Sequence, residues 1–417
     1  ADIDLAVKDL VRGAFGHAGQ KCSATSLALI EKEVYENPKF IQQLKDAAES
    51  LTLGGSWNPS AKVTPVIRQP DKYLERGLTQ LEEGESWLIE PKMINNNPCH
   101  WSPGIRLNVQ PGSWYHTTEC FGPVLGLIPV DHLEQAIEIQ NSSDFGLTGG
   151  LHSLDPSEIQ VWRERVEVGN AYINRTTTGA IVRRQPFGGW KDSCVGPGSK
   201  AGGPNYVATL MDWTETGLPQ LSGHPSDEVL STLSRLSQLI PESKERLVAA
   251  ARSYGYWWNK EFSIEHDPSQ IHGETNDFRY RRRPWHLLRI QDVMSVDFEQ
   301  LGLMAMACQQ VGTHFQISIP ENADWLSKFA TETGQRWTGF EFVIENQADL
   351  IKRLELMKGG TMRIAGEYDE FDFSPSRIGN VPILPTQPLA NGRIELLYYL
   401  REQSVSETVH RYGNIFE

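Results

Sequence analysis

Cys22 lies in the stretch Gly19-Gln20-Lys21-Cys22-Ser23-Ala24, between an amphipathic segment and a short apolar run. A nucleophilic thiol needs such a place: a glycine-flanked loop, backbone N–H groups close by, and positive charge that favours the thiolate. Lys21 is the candidate for that charge. The amide N–H of the cysteine itself is a candidate for holding an oxyanion when a carbonyl is attacked. The plainer reading is packing, because free cysteine is among the most buried residue types. Five cysteines without a C-x-x-C pair make neither a disulfide framework nor a zinc site, so no metal is expected and a reducing cytoplasm fits best.

The elements around this loop alternate between helix and strand. Ile3, Val7, Leu10, Val11 and Ala14 recur at helical spacing and predict a helix over Ile3–Phe15. Strands are expected at Ser26–Ile30, Val124–Val130, Thr148–Leu151 and Ala171–Asn174, and helices at Asn37–Leu53, Leu133–Ile139 and Pro156–Val166. Strands separated by helices at this interval predict a parallel, helix-covered α/β sheet. Tyr206–Trp213 alternates as one strand of a projecting ribbon. An unpaired edge there implies a homo-oligomer of unknown order.

Gly217–Pro225 has linker composition, and the domain boundary is expected at 217–226. Beyond it, helices are predicted at Asp227–Leu239, Pro241–Lys260, Ala305–Val311, Asp324–Thr331 and Asn346–Met357, with strands at Phe315–Ile319 and Phe340–Ile344. Asp267–Arg283 reads as turn-rich, and its basic run Arg279–Arg283 as loop chemistry or an anion contact. Ile394–Leu400 is a strand or a helix, followed by a polar extended tail.

The 417 residues are enough for two or three domains. With 39% hydrophobic and 22% charged residues the balance is that of a globular protein, and a net charge of −14 argues against nucleic acid. No stretch approaches the ~20 apolar residues of a membrane span, so membrane association is not indicated. The chain opens on Ala1-Asp2-Ile3-Asp4 without an initiator Met, as a segment of a longer protein would.

Gly13-Ala14-Phe15-Gly16-His17-Ala18-Gly19-Gln20-Lys21-Cys22-Ser23-Ala24 closely resembles the active-site segment of the aldehyde dehydrogenase superfamily. Three collinear segments resemble it as well: Glu119-Cys120-Phe121-Gly122-Pro123-Val124, Asn141-Ser142-Ser143-Asp144-Phe145-Gly146-Leu147-Thr148-Gly149-Gly150, and Gln185-Pro186-Phe187-Gly188-Gly189. Ser23, Thr178-Gly179-Ala180-Ile181-Val182 and Lys200-Ala201-Gly202-Gly203-Pro204 resemble the Δ1-pyrroline-5-carboxylate dehydrogenase branch, which oxidises glutamate γ-semialdehyde to glutamate. The resemblance implies Cys22 as nucleophile, and Ser23, Gly179, Ala180, Phe187 and, more weakly, Lys21 against the substrate. It implies Glu119 on the nicotinamide ribose and Phe121 beside the nicotinamide ring.

The resemblance also implies an α/β fold in two parts. Residues 1–216 would be the catalytic half of an aldehyde dehydrogenase fold, and 227–417 a second, Rossmann-like domain with a lid-forming tail. Glu395–Asn414 and Gly273-Glu274-Thr275-Asn276 resemble the long-form, bifunctional proline utilization A family. There an FAD-dependent proline dehydrogenase precedes the semialdehyde dehydrogenase. The family's general base, its oxyanion-hole asparagine and the NAD-binding half would then lie upstream of Ala1, leaving these residues inactive alone. A different aldehyde substrate and a non-catalytic scaffold or channelling module are the alternatives.

Overall fold

Asp2 accepts a hydrogen bond from the Leu5 amide at 3.3 Å and starts helix α1, Ile3–Phe15. Val7, Val11, Ala14 and Phe15 face inward on it, as the period of the sequence requires. The computed structural model describes residues 1–55, 57–292, 297–321, 341–385, 387–411 and 414–415. The chain divides into two compact units. One is Ala1–Gly189 with Asp267–Asn276 and Ser404–Glu417, the other Trp190–His266 with Asp277–Gln403. The stretch 217–226 lies inside the second.

In the first unit β1 (Leu27–Glu31), β2 (Ser86–Ile89), β3 (Gly104–Leu107) and β4 (Val124–Val130) form one sheet in the order β1-β4-β3-β2. β4 pairs in parallel with β1 and β3, and only β2 runs antiparallel. Every residue of β4 but Pro129 is buried, which is why its sequence is a continuous apolar run. Helices α1, α2 (Pro38–Glu49) and α3 (Lys72–Thr79) supply Phe15, Leu44 and Leu78 to the same core as Leu125 and Leu127. Each fully buried side chain of this size contributes roughly 1.5–3 kcal/mol.

The unit has a second core, around Ile137 of α4 (Leu133–Ser142), Trp162 of α5 (Pro156–Arg165), Ala171, Ile173 and Val405. Here β5 (Thr148–Leu151) and β6 (Asn170–Ile173) pair in parallel, Thr148 opposite Asn170. The tail strand, Leu400–Thr408, adds beside β6 with Ser404 opposite Asn170. Its long polar sequence reads as an extended tail, but Gln403, Ser404 and Ser406 are buried.

The second unit carries α6 (Asp227–Leu239), α7 (Lys244–Trp257), α8 (Phe298–Val311) and α9 (Gln347–Leu356) with a four-stranded parallel sheet. Its strands are Trp285–Ile290, His314–Ile319, Glu341–Ile344 and Thr361–Ala365, and Trp285–Ile290 lies between the second and the fourth. Counted along the chain the order is 3-2-1-4, the arrangement of a doubly wound sheet. The expected strand at Phe340–Ile344 is present from Glu341, and the helix expected at Asp324–Thr331 lies outside the described residues.

Two expectations are corrected. Tyr206–Trp213 is not a strand: Val207–Leu210 is a 3₁₀ turn, and Val207, Leu210 and Met211 are exposed. A strand exists only where a neighbour closes its ladder, and among the described residues none pairs with this segment. Glu274–Arg282, read as turns, is a strand. Of the basic run, Arg279 in the strand donates to Gln403 and Glu265, and Arg283, just beyond its end, to the carbonyls of Pro197 and Gly359, so these two are engaged within the fold. A buried guanidinium group paired like that of Arg279 hides a strand behind a polar sequence.

Candidate active site

Cys22 is exposed and sits with Ser23 at the two central positions of a tight turn, closed by the Ala24 amide on the Lys21 carbonyl at 2.9 Å. The chain reaches this turn through His17 (φ 56°), Ala18 (φ 53°) and Gly19 (φ 68°), three consecutive left-handed residues. That conformation costs a non-glycine residue energy and persists only where the surroundings enforce it. Packing enforces it here. A Cβ at Gly19 would lie 2.1 Å from the Gly122 carbonyl oxygen, so only glycine permits the approach. On the other side the Thr25 amide bonds the Gly13 carbonyl of α1 at 3.2 Å.

Gln20 fastens the turn to the segment holding Glu119 and Phe121. Its Nε2 donates to the Phe121 carbonyl at 3.1 Å, and its Oε1 accepts from the Ile67 amide at 2.9 Å. Glu119 and Phe121 are exposed, and Phe121 is itself left-handed at φ 55°. Glu119 and Phe121 thus present a carboxylate and an aromatic ring on one loop that Gln20 fastens to the cysteine turn.

The loop after β6 reaches the turn from the other direction. Thr177 Oγ1 donates to the Ser23 carbonyl at 2.9 Å and shares a 2.9 Å hydrogen bond with Thr25 Oγ1. Ser23 is buried, whereas Gly179 (φ 92°) and Ala180 are exposed. Lys21 is half-buried, and its ammonium has no hydrogen-bond partner among the described residues. Nothing among those residues accepts a hydrogen bond from the Cys22 amide.

Phe187 is half-buried on a loop with its own anchorage. Asn170 Nδ2 donates to the Pro186 carbonyl at 3.0 Å, and its Oδ1 accepts from the Gly188 amide at 3.1 Å. Ser404 Oγ bonds the same Pro186 carbonyl at 2.7 Å. The structure thus brings Ser23 to the Thr177 loop and Phe121 to Gln20, and holds Phe187 separately on Asn170.

Gln20, Thr177 and Asn170 were not anticipated from the sequence. No local pattern marks them, since each acts on a segment distant in the chain. Tyr172 of β6 is a fourth. Burial pushes its phenol up to about 12, with Arg175 opposing the rise and Cys22 adding to it, so a neutral hydroxyl stands within electrostatic reach of the cysteine.

The other thiols differ from Cys22. Burial pushes the Cys120 thiol up to about 12 and that of Cys308 well above its ordinary value, and it raises Cys194. All five cysteines are free thiols. Among the described residues no group of His, Cys, Asp or Glu is arranged to hold a metal ion, and no helix is long and apolar enough to cross a membrane.

Known proteins share much of this sequence. The 1-pyrroline-5-carboxylate dehydrogenase of Bacillus subtilis is 37% identical over 217 residues, covering 51% of this chain and 40% of the relative. 1-Pyrroline-5-carboxylate dehydrogenase 1 of Halalkalibacterium halodurans is 36% identical over 217 residues, with the same coverage. This chain therefore spans about two fifths of the length of those relatives. The solved structure of proline utilization A from Corynebacterium freiburgense is 42% identical at a TM-score of 0.79, covering 100% of this chain and 38% of that one. Residues 1–216 match the model of the aldehyde dehydrogenase family, and the chain belongs to that family.

Proposed function

We propose that the chain is the cysteine-bearing part of an NAD-dependent L-glutamate γ-semialdehyde (1-pyrroline-5-carboxylate) dehydrogenase of proline catabolism. One observation carries this reading. An exposed Cys22 shares a turn with Ser23, and Thr177 ties that turn to the loop bearing Gly179 and Ala180. The loop offers backbone N–H groups to an α-carboxylate while the thiol faces the aldehyde end. The names of the relatives support the choice of substrate.

The Cys22 sulfur bonds to the aldehyde carbon and the carbonyl π pair moves to oxygen, giving a thiohemiacetal whose oxyanion the Cys22 amide N–H is placed to receive. Glu119 and Phe121 are the residues of this chain that would hold NAD, which when bound would supply hydride-acceptor chemistry for oxidation of this adduct to the thioester. Water adds to the thioester carbon, the C–S bond breaks with its electron pair returning to sulfur, and glutamate leaves. Phe187 packs on the aliphatic part of the substrate. Lys21, adjacent to Cys22 in the chain and without a hydrogen-bond partner among the described residues, adds a positive charge at the substrate end of the turn.

By the same reading the general base, the dinucleotide half and an FAD-dependent proline dehydrogenase belong to other parts of the polypeptide, in a reducing cytoplasm. The chain alone is expected not to turn over aldehyde. A non-catalytic, scaffolding role is favoured for residues 227–417, where the one cysteine, Cys308, is fully buried.

In the intact polypeptide Cys22→Ser is expected to lower semialdehyde oxidation at least a thousandfold, on the order of losing a covalent nucleophile. Turnover at the wild-type rate would end the proposal. Equal kcat/KM for the semialdehyde and for butanal would leave an aldehyde dehydrogenase of different specificity.

A further inference from the structure

The Gly273-Glu274-Thr275-Asn276 segment has no part in the chemistry above, yet it meets the loop that offers Gly179 and Ala180. The Glu274 carboxylate bonds both ends of that loop. Oε2 accepts from Arg175 Nη1 at 3.3 Å, and Oε1 forms an ion pair with Arg184 Nη2 at 2.8 Å. Asn276, fully buried, donates through Nδ2 to Glu274 Oε1 at 3.1 Å. Its Oδ1 accepts from Gln185 Nε2 at 2.5 Å and from Ser406 Oγ at 3.0 Å. Gln185 continues the chain of contacts, its Oε1 accepting from the Ile181 amide at 2.9 Å. Between these anchors Gly179, Ala180, Ile181 and Val182 are exposed.

We propose that Glu274, supported by Asn276, is a positioning residue that sets substrate specificity by clasping the two ends of the 176–183 loop; this rests on the semialdehyde reading above. A loop whose ends are held together has few conformations to lose. Released, it spends only a fraction of its time in the form that presents its N–H groups to a carboxylate, and apparent affinity falls by that fraction. An aldehyde without an α-carboxylate makes no use of the loop and is spared. Glu274 also neutralises Arg175 and Arg184, two cations that would otherwise draw a carboxylate away from the backbone cradle.

The test is Glu274→Gln in the intact polypeptide, with two readouts. The ratio of kcat/KM for glutamate γ-semialdehyde to that for butanal is expected to fall about tenfold, through KM for the semialdehyde. Amide hydrogen exchange over 176–183 is expected to quicken about tenfold, while exchange in β4 holds. Glu274→Asp keeps the charge but is too short to serve both arginines as well, so it should fall between, and it serves alone if the Gln variant does not fold. An unchanged ratio with unchanged exchange overturns the proposal. So does a lower KM, which two unneutralised guanidinium groups would produce by attraction alone, or an equal loss on both substrates. The exchange readout needs no substrate, so a wild-type enzyme that ignores the semialdehyde would sink the reading of function without touching the clasp.

Discussion

Thr177 Oγ1 donates to the main-chain carbonyl of Ser23 at 2.9 Å, so a residue of the loop after β6 fixes the turn that carries Cys22. Replacing Thr177 by Val keeps the shape and removes the hydroxyl. The lost hydrogen bond is worth about 1 kcal/mol, roughly fivefold in an equilibrium constant. Thr177→Val is therefore expected to lower kcat/KM for the semialdehyde about fivefold with little change in thermal unfolding. Steady-state kinetics of the intact polypeptide decide it, and wild-type values would show that the bond only accompanies the fold.

The thiols should react in an order set by burial. A thiol near 12, as at Cys120, is thiolate to only about one part in 30,000 at pH 7.5, since the thiolate fraction drops tenfold for each pH step below the pKa. Cys308 is further protected, being fully buried. Limited iodoacetamide at that pH, read by peptide mass spectrometry, is expected to label Cys22 first, with half-buried Cys99 as the comparator. Prior labelling of Cys120 or Cys308 in the native protein would contradict the packing described.

Much of this architecture could be read from sequence where one physical cause dominates. The ends of α1 follow from the Asp2 cap and a clear helical period, and β4 from a run of seven residues covered on both faces. The cysteine turn was legible because its glycines and its neighbours are local. Legibility failed where a segment is defined by a distant partner. Glu274–Arg282 is a strand whose buried Arg279 is paired with Glu265 and Gln403, so its charge reads as surface. Tyr206–Trp213 alternates like a strand and, among the described residues, has no ladder to join. Asn170, Thr177 and Gln20 look like ordinary polar residues until the chain folds back on them.

The second unit contains a fully buried ion pair. Arg363 Nη1 meets Glu395 Oε1 at 2.8 Å, with Tyr399 Oη 2.7 Å from each, and the Leu389 amide donates to Glu395 Oε2 at 2.9 Å. Removing one partner strands the other charge, which costs about 3–5 kcal/mol, whereas replacing both with apolar groups of similar volume is often close to neutral. Glu395→Leu is expected to lower the urea midpoint sharply, and the double variant Arg363→Met, Glu395→Leu to recover most of it. A double variant no better than the single one would mean that the pair holds its surroundings through hydrogen bonds rather than through charge compensation.

His152 gives the first unit an acid sensitivity of definite sign. Burial pushes its imidazole down to about 4, with the Asp9 carboxylate 3.9 Å away. In the unfolded chain it titrates near 6.5, so between about 6.5 and 4 the unfolded state takes up a proton that the folded state refuses. Stability then falls with pH across that window and is level above it. Asp9 works the other way: burial raises its pKa, so protonation favours the folded form and offsets part of the loss. The His152 contribution amounts to about 2 kcal/mol between pH 7 and pH 5, because each tenfold difference in proton affinity between the two states is worth about 1.4 kcal/mol. His152→Gln cannot titrate and should lose correspondingly less stability on acidification, measured by urea unfolding at both pH values. Curves for the two proteins that stay parallel would remove His152 as the cause.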